Sequence, residues 1–184
     1  MTDFFDSEAG QHAMVAKQYL EAALTLVEAQ PAKGRVLFRP TLALAGHGLE
    51  LMLKACFHLN NQVPPKSGRQ GHDIVGMWHA AVCEPVRGHV AYNAELVAEV
   101  ERAKGFYPDV PSHAEIPTLI VEYVLELGRL HGSGDYPLRY PTDPSKHAPR
   151  TPFLVTSLWR TADDFVKRPN DFEVMLFRTL FSKA

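Results

Sequence analysis

Apolar residues recur along most of this chain at spacings of three and four, the period of a helix with one buried face. In "SEAGQHAMVAKQYLEAALTLVEAQ", Ala13, Ala16, Tyr19, Leu20, Ala23, Leu24 and Val27 share a face. That pattern predicts a helix from Ser7 to Ala29, with Ser7 as its N-cap and Pro31 as its stop. "RVLF" (35–38) reads as loop. Pro40 opens a second helix at a position where its missing N–H costs nothing. "NNQVPPKSGRQG" (60–71) is a loop by composition. "HDIVGMWHAAVC" predicts a third helix with Asp73 at its positive end, and "YNAELVAEVERAK" (92–104) predicts a fourth.

Ser112 and Glu115 have capping-box spacing, and the helix behind them is expected from Pro117 to Leu130. "HGSGDYPLRYPTDPSKHAPR" (131–150) then reads as a long ordered loop, a length that is often functional. Thr151-Pro152 starts another helix, Pro169 ends it, and Asn170 caps a last apolar helix over 170–183. No stretch alternates with period two. The expected fold is all-α and single-domain over 1–184, with an antiparallel four-helix-bundle core at about 7–168 and one or two additional helices.

The second helix carries the most informative pattern. At about 100° per residue, His47, Glu50, Lys54 and His58 of "LALAGHGLELMLKACFHLN" fall on one line with apolar residues on both sides. An ordinary surface helix has a wider polar face. In "PTLIVEYVLELGRL", Glu122, Glu126 and Arg129 form a similar seam. Two such helices are expected to line one polar cleft. The plainer alternative is local pairing, Glu50 with Lys54 and Glu126 with Arg129.

Composition narrows the class. The chain of 184 residues has a net charge of −2, unlike a basic protein that coats nucleic acid. Cys56 and Cys83 lie in apolar helical patterns, and "MTDFFDSEAG" has no signal-peptide character. No apolar run reaches the ~18 residues of a membrane span. A cytoplasmic protein with free buried thiols and no membrane partner is expected. His79 and Cys83 have ligand-compatible spacing, but no second pair lies near them, so no metal site is expected. There is no glycine-rich phosphate loop, G-x-S-x-G or CxxC, and no cofactor is implied.

"GHGLELMLKA" (46–55), "GHDIVGMW" (71–78) and "LRYP" (138–141), in that order, resemble the HEPN-like (higher eukaryotes and prokaryotes nucleotide-binding) domains of bacteria and archaea. One branch of that family carries H-x-x-E-x-x-x-K, then G-H-D, then R-Y-P. The resemblance covers about 7–168 and implies a helical, often dimeric domain. It also implies a nucleotide- or RNA-associated role in a toxin–antitoxin or antiphage defence setting. Many members are ribonucleases with an Arg and a His that enclose four to six residues. Here Arg39–His47 and Arg139–His147 each enclose seven residues, so that motif is absent and no catalytic residue carries over.

What carries over is a candidate ligand set: His47, Glu50, Lys54, His72, Asp73, Arg139 and Tyr140. Lys54, Arg139 and a histidine can bind a phosphate or carboxylate, with Glu50 and Asp73 orienting the imidazoles. The same residues can instead form a structural network, with Arg139 tying the long loop to Glu50. A rearranged nuclease using His47, His72 and Arg139 is a third possibility, so enzymatic activity stays open. Phe106, Tyr107, Tyr136 and Tyr140 beside Arg139, Lys146 and Arg150 suit stacking on single-stranded RNA or packing on the bundle. The apolar last helix argues for a homodimer or a partner protein encoded nearby.

Overall fold

A computed structural model describes residues 4–65, 71–104, 115–132, 138 and 151–173. All regular structure among them is helical. The main helices are α1 (Glu8–Lys33), α2 (Phe38–Leu59), α3 (Ile74–His79), α4 (Glu84–Lys104), α5 (Ile116–Gly132) and α6 (Thr151–Lys167). Three-residue and four-residue 3₁₀ turns at Phe4–Asp6, Gly34–Leu37 and Ala81–Cys83 connect or precede them, and 169–173 is helical again. Arg139, Tyr140, most of the expected 131–150 loop and the last helix beyond Glu173 lie outside the described residues. No described helix is long and apolar enough to cross a membrane.

α2 is central because it has almost no polar face to give to water. It packs on α1, α3, α5 and α6. Leu42, Ala45, Leu49, Met52, Leu53 and Cys56 of α2 are fully buried with Ala13, Ala16, Leu20 and Ala23 of α1 in one core. Each large aliphatic side chain so buried contributes about 1.5–3 kcal/mol. The small residues of α1 let the two axes approach. Gly48 extends that logic on α2, since a Cβ there would stand 2.5 Å from Leu20 Cγ and 3.1 Å from the Ala16 carbonyl oxygen. Glu8, at the start of α1, pairs with His58, at the end of α2, at 2.7 Å, so the two run antiparallel.

α6 closes the other side of α1. Lys17 Nζ donates to Asp163 at 2.7 Å and Trp159 Nε1 donates to Glu21 at 2.5 Å, again with opposite chain direction. Asn93 of α4 donates to Thr161 at 3.3 Å and to Asp164 at 2.9 Å. Burial would raise the Asp163 pKa, but hydrogen bonds from Lys167 and Lys17 outweigh it and hold the carboxyl below its ordinary 3.8. A depressed carboxyl pKa contributes stability that is present above the unfolded value and lost as pH falls below it. Asp163→Asn is therefore expected to flatten the acid limb of a stability–pH curve below the ordinary 3.8, measured by urea unfolding.

Several boundaries differ from the pattern-based expectation. α1 runs through Pro31 to Lys33, because a proline so near the end removes one hydrogen bond from a turn that is about to finish. The expected third helix breaks at Ala80, whose ψ of 138° is extended. Arg87 holds that break, with Nη1 on the carbonyl oxygens of Trp78 and Ala80 and the rest of the guanidinium on Glu84. α4 then begins at Glu84 rather than 92, with Pro85 in the first turn, where it has no N–H to lose. α5 ends two residues later than Leu130, and that extension places a site residue.

Candidate functional site

The polar line of α2 divides. His58 leaves it for the α1 end, where its ring lies 4.7 Å from that of His12. The other three stay together at Glu50, a buried residue at 4% exposure. Lys54, one turn on, donates from Nζ to Oε1 at 2.6 Å. His72, immediately before α3, meets Oε2 through Nδ1 at 3.0 Å. His131, in the last turn of α5, meets the same Oε2 through Nε2 at 2.9 Å. Two helices and one inter-helix turn thus converge on a single carboxylate.

His47 completes the cluster. Its ring stands edge-on to His131 with centroids 4.7 Å apart, and on its other side Tyr19 of α1 lies at 5.5 Å. His72 and His131 are 6.1 Å apart, also edge-on. The cluster has an inside and an outside. His131 and Glu50 side chains are 5% and 6% exposed, whereas His72 is 48% exposed and forms the solvent side.

Burial by itself would raise the Glu50 pKa. Hydrogen bonds from His131, Lys54 and His72, with the Lys54 charge, overcome that and hold the carboxyl well below the usual carboxylate range. A buried carboxylate is tolerable only with such partners. With Nδ1 on Glu50, His72 keeps Nε2 for another contact, the arrangement by which a carboxylate orients a working imidazole.

The other expected residues are placed differently. Asp73 is the N-cap of α3, its Oδ1 accepting from the Gly76 N–H at 2.8 Å, and it makes no hydrogen bond to an imidazole among the described residues. Arg139 and Tyr140 are outside the described residues. The proposed second seam does not line the cleft: Glu122 and Arg129 are exposed and Glu126 is half-buried. The reason is the apolar bulk of α5, whose buried stripe Ile120, Val124, Leu127 and His131 turns toward the core and carries the seam outward. His79 is exposed and Cys83 buried, with the Ala80 break between them.

His131 is the functional candidate that the sequence reading missed. Gly46 makes its place. A Cβ at 46 would stand 2.5 Å from His131 Nδ1 and 2.9 Å from Cγ. Gly46→Ala is expected to push the ring off Glu50 and to destabilise by about 1–3 kcal/mol, as overpacking does. Denaturant unfolding measures the loss, and an unchanged midpoint would show that His131 does not pack against α2 in this way. Against known proteins, no family model, no curated protein and no solved structure matches this chain.

Proposed function

We propose that the chain is a HEPN-like nucleotide- or RNA-associated domain, built on an antiparallel four-helix core, of the toxin–antitoxin or antiphage defence kind. The observation that carries the reading is that His72, from the next sequence block, meets the His47, Glu50 and Lys54 line of α2 at one point. These are the residues of the H-x-x-E-x-x-x-K and G-H-D blocks. Glu50 is spent on orienting donors, and the half-exposed His72 offers its second nitrogen to a phosphate oxygen. Arg139 and Tyr140 are the expected additions from the long loop. The Arg-x4-6-His ribonuclease motif is absent, and the proposal concerns association with nucleotide or RNA, with enzymatic activity left open.

The test is thermal unfolding of the wild type and of His72→Ala with mononucleotides and short single-stranded RNA at low salt. The wild-type midpoint is expected to rise with ligand, less so at higher salt, and the variant's to stay where it is. A second reading, a non-catalytic interaction or dimerisation module, is favoured by the internal pairing of Glu50, Lys54 and His131. That reading expects no ligand response from either protein and a dimer in sedimentation that His72→Ala leaves intact.

A further inference from the structure

One triangle inside the cluster has a second chemistry. His47, Glu50 and His131 each offer one ligand atom, and these atoms all lie within 4.8 Å of one another. Bound to a tetrahedral ion at roughly 2.0–2.1 Å, such atoms stand about 3.3 Å apart, so small side-chain movements close the triangle. Two imidazoles and a carboxylate are an N,N,O set suited to zinc and its first-row neighbours rather than to magnesium or calcium.

The surroundings suit a ligated carboxylate. Lys54 takes Oε1 at 2.6 Å, so a cation would meet Glu50 at Oε2, the oxygen that His131 and His72 contact. Gly46 removes the Cβ that would displace His131, and Tyr19 backs the His47 ring. His47, Glu50 and Lys54 come from one helix, which fixes their spacing. His72 contacts Oε2 from the solvent side and is not one of the three.

We propose that His47, Glu50 and His131 form a site for one divalent first-row transition metal ion of the zinc class, with a remaining coordination position for water or a ligand oxygen. Lys54 works against it. Its ammonium offsets the charge of the carboxylate that the cation needs, so the site is tuned weaker than the same ligands would be alone. The proposal does not depend on nucleotide or RNA association, because it concerns the ion by itself.

The experiment uses the full chain, stripped with a chelator and desalted, with Zn²⁺ alone as the probe and no nucleotide. Bound metal per chain and the thermal midpoint are measured, and Co²⁺ is substituted to read the visible bands of a low-coordinate site. One ion per chain is expected, with a raised midpoint. His47→Ala and His131→Ala are expected to weaken binding beyond the roughly 10–100-fold typical of losing an outer contact. His72→Ala is expected to retain the ion, and Lys54→Met to bind it several-fold more tightly. His47 is half-buried and tests the site even if His131→Ala fails to fold. Less than one ion per chain at micromolar Zn²⁺, or equal binding in the wild type and His47→Ala, overturns the proposal. Loss of RNA binding in His72→Ala with the metal retained separates this site from the nucleotide reading.

Discussion

Glu50→Ala is expected to lower the stability of the protein by about 3–5 kcal/mol, the usual cost of breaking a buried charged pair by removing one partner. The residue is 4% exposed and is the common partner of Lys54, His72 and His131. Deleting it strands the Lys54 ammonium, whose side chain is only 15% exposed, and leaves His131 without its carboxylate. For a chain of this size each kcal/mol moves the midpoint by about 2–4 °C, so a fall on the order of 10 °C is expected. Glu50→Gln keeps the volume and one acceptor oxygen and should lose less. Chemical denaturation of the three proteins gives the ranking. Wild-type-like stability of Glu50→Ala would mean that the carboxylate organises nothing.

Phe172→Ala is expected to cost a similar amount, about 3–5 kcal/mol, for a different reason. Phe172 is fully buried beyond the end of α6, in the short helical stretch 169–173. Its ring is stacked between His89 of α4 at 4.0 Å and Phe165 of α6 at 4.1 Å. Truncation leaves a ring-sized hole between the two helices. Burial pushes the His89 pKa below its ordinary 6.5, against the attraction of Asp164, so the folded state favours the neutral ring. That contribution is present above pH 6.5 and is lost as pH falls through the depressed folded value. The hole in Phe172→Ala admits water to His89, and the variant's stability should depend less on pH below neutrality. Urea unfolding at two pH values reads both effects. A loss under about 1 kcal/mol would show that this stack is not part of the core.

Much of this architecture was legible because helical periodicity survives wherever a helix buries one face. α1, α2 and α6 follow their apolar stripes closely. The failures have local physical causes. Pro31 has the look of a stop, although a proline in a final turn loses little. The break at Ala80 depends on Arg87 reaching back to two carbonyl groups, which no spacing rule shows. The α2 line was visible as an anomaly of polar residues amid leucines, and Glu50 did prove buried. Its partners were harder to find. His131 falls just beyond the expected end of its helix, at the start of a glycine- and proline-rich stretch that reads as loop. A signal was present: Ile120, Val124, Leu127 and His131 continue one buried stripe at helical spacing. Gly46 and Gly48 around His47 were a second signal, since glycines inside an apolar helix mark close approach by a neighbour.

The central claim is that Glu50 gathers these histidines into a ligand site rather than a purely internal network. The most direct measurement follows the imidazole nitrogen resonances of His47, His72 and His131 by NMR while a short single-stranded RNA is added at low salt. Saturable shifts are expected, largest at His72, the exposed member, with smaller linked shifts at His131 through the shared Glu50 oxygen. Unmoved resonances for all three at saturating RNA, or shifts confined to histidines outside the cluster, would contradict it.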